Sequence, residues 1–98
     1  MGMALNIPEN VYGEIKKYAV LHKVKKVVLF GSRARGTNRE RSDIDIFAVG
    51  GDVDSFRTAL DEEADTLLMF DVVDAGANVS DELKAEIEKD GVVIYEKI

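Results

Sequence analysis

The chain has 98 residues, 46% of them apolar and 33% charged, a balance that suits one soluble domain with a core of its own. Without a cysteine it has no disulfide framework, no thiolate zinc site and no cysteine nucleophile. The net charge of −6 argues against general binding of a nucleic-acid backbone, because that affinity comes from Lys and Arg displacing counterions.

The charge is unevenly spread. Nine of the thirteen basic residues lie between Lys16 and Arg41, and fourteen of the nineteen acids lie from Asp52 onward. A local basic patch can still steer one anionic ligand, although most such charges serve to solvate helix faces. No apolar run approaches membrane-spanning length. The start, Met1 to Asn6, lacks a signal-peptide layout and the Ser or Thr that myristoylation expects after Gly2, so a cytoplasmic location is expected.

The first helix is expected from Pro8, with Asn6 as its cap, to about His22, its apolar stripe formed by Val11, Ile15, Tyr18 and Ala19. Lys25 to Phe30 reads as a buried strand, and Ser32 to Arg35 as a single helical turn ending near Gly36. Thr37 to Ser42 is a polar loop. Asp43 to Val49 is the second strand, broken off by Gly50-Gly51. Val53 to Ala64 is amphipathic and helical, and Leu67 to Val73 is a third strand. Ser80 caps a last helix that stops at Asp90-Gly91, and Val92 to Tyr95 forms a short final strand. This order predicts an α/β (α+β) domain over residues 1–98, a small mixed sheet backed by helices.

Two segments carry the chemistry. In Ser42-Asp43-Ile44-Asp45-Ile46 the carboxylates alternate with isoleucine, so Asp43 and Asp45 share one strand face while Ile44 and Ile46 turn to the core. Alone, an Asp-x-Asp on a strand is more often a sheet edge or a turn cap. Here it follows a turn, Gly31-Ser32, whose backbone N–H groups can face an anion where a strand runs into a helix. Mg²⁺ binds a few carboxylates together with phosphate oxygens and water, so Asp43 and Asp45 can hold one ion or bridge two. Two-metal phosphoryl or nucleotidyl transfer also needs a third carboxylate from another strand. Asp71 is the better candidate, since it lies inside the third strand, whereas Asp74 faces the other way or caps the strand end.

Around this nucleus the residues are less decisive. Arg33 and Arg35 sit two apart on a helix and face different ways. One can reach phosphate while the other pairs with an acid or faces solvent, and Arg33 is the one assigned to the ligand. Arg39 and Arg41 can clamp a triphosphate or simply be solvated, and His22 reads as packing rather than as a base. Gly31-x4-Gly36-Thr37 lacks the lysine that a P-loop requires. An EF-hand is excluded by the apolar Asp43-Ile44-Asp45-Ile46-Phe47 run.

The composite of Gly31-Ser32-x-Ala34-Arg35-Gly36, Ser42-Asp43-Ile44-Asp45 and a later strand acid resembles the signature of the DNA polymerase beta nucleotidyltransferase superfamily. The match is to its minimal nucleotidyltransferase (MNT) branch, and the ending from Phe70 to Tyr95 also looks like that branch. The resemblance implies the polymerase-beta-type fold, with Gly31 and Ser32 on the triphosphate. Asp43 and Asp45 would carry two Mg²⁺ ions, and Asp71 would help place the second ion and the attacking hydroxyl. In-line attack at the α-phosphorus of ATP or another nucleoside triphosphate would transfer NMP and release pyrophosphate. It further implies that the acceptor site comes from a second copy, a partner protein or the acceptor itself. In this branch the partner is a small helical HEPN protein, often the toxin of a toxin–antitoxin pair that the MNT protein neutralises by binding or by adding AMP.

Four readings therefore compete. The first is Mg²⁺-dependent transfer of a nucleotide to a protein, and the second is a non-catalytic antitoxin that acts by occupying its partner. Nucleotidylation of a small molecule and nucleic-acid polymerisation rank below these, for lack of an acceptor domain and of a basic surface. No residue identifies the base, and the oligomeric state stays open.

Overall fold

The computed structural model describes residues 6–98. The Met1–Leu5 part of the start considered above lies outside them. Two apolar runs, Lys26–Phe30 (β1) and Ile44–Val49 (β2), pair antiparallel at the centre of a four-stranded sheet. Phe70–Asp74 (β3) pairs parallel with β2, and Val92–Glu96 (β4) pairs antiparallel with β1. The sheet is mixed, in the order β3-β2-β1-β4. Four helices accompany it: α1 (Glu9–Leu21), α2 (Ser32–Arg35), α3 (Val53–Glu63) and α4 (Asp81–Asp90).

Strand alternation divides the side chains between two faces. Val27, Leu29, Ile44, Ile46, Ala48, Val72 and Ile94 turn to one face and form the core with Val11, Ile15 and Ala19 of α1 and Phe56 and Leu60 of α3. The opposite face carries Val28, Asp45, Phe47 and Asp71. Among the described residues α4 lies over it, where Ile87 and Gly91 approach Val28. This leaves the β2–β3 end of that face open to solvent.

Local chemistry sets the element ends. α3 is capped by the Asp52 carboxylate and α4 by the Ser80 hydroxyl, each accepting from the N–H three residues on. α1 ends in a Schellman arrangement, with Lys23 N–H on Val20 O and Val24 N–H on Ala19 O, and Lys23 takes the left-handed position at φ 63°.

Two expectations need correction. Asn6 does not cap α1, which begins after Pro8 with no side-chain cap; its amide instead donates to Arg33 O across the fold. The third strand starts at Phe70 rather than Leu67, because β2 begins only at Ile44, whose register partner is Phe70. Leu67 and Met69 are left exposed in the approach to the strand. Among the described residues no helix is long and apolar enough to cross a membrane.

Candidate active site

The register of β2 and β3 brings the acids together. Asp45 lies directly opposite Asp71 on the parallel neighbour, and Asp43 stands one residue before β2 begins. Asp45 is half-buried, while Asp43 and Asp71 are exposed. Burial is the main reason that the Asp45 carboxyl is pushed up from 3.8 to about 6; the charges of Asp71, Asp43 and Glu86 add to it, and Arg35 opposes it. Asp74 has a different role. It ends β3, and its carboxylate accepts from Gly76 N–H at 2.8 Å, closing the following turn.

Gly31 sits at the end of β1 beside this cluster. Its φ of 75° and ψ of −157° fall in a region open essentially to glycine alone. A Cβ there would also stand 2.3 Å from Asp45 Oδ2. Backbone conformation and contact with the carboxylate thus both require glycine. The Gly31 carbonyl accepts from the N–H groups of Ala34 and Arg35, folding the chain into the single turn of α2 that Ser32 opens.

The two arginines of α2 have opposite fates, and the assignment of Arg33 to a ligand needs correction. Arg33 is only 4% exposed. Its Nε donates to Ser42 O and its Nη2 to Glu40 O, both at 2.9 Å, and its Nη1 donates to Asn6 O. The guanidinium therefore ties the β1–β2 connection to the segment before α1 and is not directed at phosphate. Arg35 is the exposed one. It pairs with Glu86 at 3.2 Å and approaches Asp90 at 3.9 Å, both on α4.

Glu86 and Asp90 were not singled out by the sequence reading. The available signal was their spacing, since two acids four apart on one helix face repel unless a cation lies between them. Among the described residues no three His, Cys, Asp or Glu side chains form a ready-made metal cage. The donor set nevertheless fits Mg²⁺, which takes one or two carboxylates and completes its shell with substrate phosphates and water. Crowded carboxylates, one of them resisting ionisation, form a site that a cation would relieve. A separate hollow lined by His22, Asp54, Ser55, Thr58 and Glu62 shares no residue with this cluster.

Comparison with known proteins gives the family and the fold. Residues 13–98 match the family model described as polymerase beta, nucleotidyltransferase. The chain therefore belongs to the polymerase beta nucleotidyltransferase family. A relative from Methanocaldococcus jannaschii, named as a candidate protein adenylyltransferase, is 48% identical over 61 residues, which are 62% of this chain and 59% of the relative. The match thus spans less than two thirds of that protein's length. Among solved structures, a toxin–antitoxin with AMP-PNP is similar at a TM-score of 0.70 and 24% identity, over 88% of this chain and 73% of that one. A mutant of the toxin–antitoxin MntA–HpeT has a TM-score of 0.69 and 22% identity with the same coverage. At these identities the two structures establish the fold alone.

Proposed function

We propose that residues 1–98 form a single minimal nucleotidyltransferase domain. It moves NMP, with AMP from ATP as the first choice, onto a hydroxyl of a partner protein in the presence of Mg²⁺. The observation that carries this reading is the pairing of Asp45 with Asp71 beside the Gly31 turn. Family membership supports the reaction type. The name of the Methanocaldococcus relative supports a protein acceptor, and the AMP-PNP of the toxin–antitoxin structure supports an adenine nucleotide. The two toxin–antitoxin structures also support a partner protein, read here as a small helical HEPN-type toxin in the cytoplasm.

In this reaction the acceptor oxygen forms a bond to the α-phosphorus, the α–β phosphoanhydride bond breaks, and pyrophosphate leaves. Mg²⁺ held by Asp43, Asp45 and Asp71 would neutralise charge on the phosphate oxygens and favour loss of the hydroxyl proton. Gly31 lets the backbone come close to the triphosphate, and the first amides of α2 have no carbonyl of their own helix to bind. Asp71 is the solvent-facing acid of the pair, open to an incoming hydroxyl, and orients it for in-line attack.

The test is label transfer from α-labelled ATP with Mg²⁺ into proteins of the native lysate, beside an Asp43→Ala/Asp45→Ala control. A discrete labelled protein that disappears in the control is expected. No transfer, with one partner still retained by both versions, would instead establish the binding-only antitoxin.

A further inference from the structure

The helical layer on the core side of the sheet has an outer face of two opposite characters. Helices α1 and α3 lie antiparallel. Asn10 and Glu14, early in α1, bond the backbone of Asp65 just beyond α3, and Asp52 N–H, just before α3, donates to His22 O at the end of α1. With Val11, Ile15, Tyr18 and Ala19 turned to the core, helical spacing puts Gly13, Lys16, Lys17 and Val20 on the outside of α1. Val20 and its neighbour Leu21 are 61% and 63% exposed. With Val53, Phe56 and Leu60 buried, α3 presents Asp54, Thr58, Asp61 and Glu62 to solvent. One helix is thus basic and apolar outside, and its neighbour is acidic. Among the described residues Lys16 and Lys17 pair with no carboxylate. A hollow of about 350 Å³, lined by His22, Ser55, Thr58 and Glu62, opens where the end of α1 meets α3. Gly13 has nothing within 4 Å of the place a Cβ would take, so packing within the chain does not require it, although glycine weakens a helix interior.

We propose that this face is the interface of a homodimer in which α1 of each copy lies on α3 of the other. The surface is self-complementary in the way a two-fold axis requires. An axis parallel to the two helices places Lys16 and Lys17 of one copy over the Thr58 to Glu62 stretch of the second, and repeats the contact in reverse. The same operation brings Val20 and Leu21 of the second copy to the hollow beside His22, and Gly13 to the level of Glu62, where its missing side chain lets the helices come close. Asp45 and Asp71 lie on the opposite face of the sheet, so the carboxylate cluster of each copy stays open. The two helices are 13 and 11 residues long, about 20 and 16 Å. A patch of that size is at the low end for a stable interface, so a dissociation constant of about 10–100 µM is expected.

Sedimentation equilibrium of the full chain, from about 5 to 500 µM at 50 mM salt, tests this by charge reversal. A monomer–dimer equilibrium is expected for the wild type, several-fold weaker at about 500 mM salt. Lys16→Glu/Lys17→Glu and Asp61→Lys/Glu62→Lys should each weaken self-association about tenfold or more, because like charges then face each other twice. An equimolar mixture of the two variants should dimerise again, since every facing pair is then of opposite sign. Val20→Ser/Leu21→Ser, which leaves all charges in place, should also weaken the dimer about tenfold, and it serves if a reversed variant does not fold. Asp61→Lys/Glu62→Lys brings the net charge nearer to zero, so tighter self-association in that variant would show that overall repulsion governs and would overturn the proposal. A wild type that stays monomeric at 500 µM in low salt would overturn it too, and would leave the face to a different protein. Failure of the mixture to dimerise, with both variants folded, would overturn the pairing of α1 with α3.

Discussion

At the scale of single residues, neighbouring side chains of one type are separated by their surroundings. Asp71 and Asp74 lie three apart on one strand, yet one faces Asp45 and the other closes a turn through Gly76. Asp71→Asn should therefore abolish label transfer and Asp74→Asn should leave most of it; the reverse result would move the third carboxylate to Asp74. Asp45 carries a pH signature. Its folded pKa lies above the unfolded value, so the native state holds the proton more tightly and stability falls as pH rises from 3.8 to about 6. In chelator-containing buffer, Asp45→Asn should melt a few degrees above the wild type beyond pH 6.5, with the gap closing by pH 4. Parallel melting curves across that window would contradict the crowding of the site. Arg33 is a structural cation that binds carbonyls alone. Arg33→Lys cannot reach three acceptors at once and should cost about 2 kcal/mol or more in urea unfolding, independent of added nucleotide.

At the scale of elements, the ends of the helices and the edges of the sheet are managed by side chains far apart in sequence. Arg57, braced by Asp54 at 2.8 Å, donates to Val72 O on the outer edge of β3, which hinders another strand from adding there. The α1 terminus is less well served, because Lys23 holds a left-handed conformation that an L side chain resists. Lys23→Gly should raise stability by about 0.5–1 kcal/mol, read as a higher urea midpoint at unchanged slope. A lower midpoint would show that the lysine side chain contributes more than its backbone strain costs.

At the scale of the whole molecule, the acids accumulate in the C-terminal half, and even the basic stretch from Lys16 to Arg41 has Arg33 withdrawn into the interior. A net charge of −6 disfavours holding a polyphosphate strand by counterion release. Duplex DNA at about 150 mM salt should show no gel shift with this chain, and a salt-sensitive shift would reopen the polymerase reading. The β2–β3 end of the sheet carries Asp45 and the exposed Asp71, so an acceptor for the proposed transfer would approach from that side.

Much of this was legible along the chain. The alternation of Asp43 and Asp45 with buried isoleucines, the order of four helices and four strands, and a glycine at the end of β1 all follow from local periodicity and turn chemistry. Periodicity could not show where β3 begins, because Leu67 to Val73 is uniformly suited to a strand and only the start of β2 sets its limit. Nor could it distinguish Arg33 from Arg35. Spacing on a one-turn helix says only that the two face different ways, and which of them is withdrawn depends on carbonyls of Asn6, Glu40 and Ser42 and on carboxylates of α4. The sequence by itself determined that Asp43 and Asp45 alternate with core isoleucines, because a strand's period of two is a local property. The tertiary structure alone decided which arginine stays available, because burial and ion pairing depend on segments that the chain brings together only by folding.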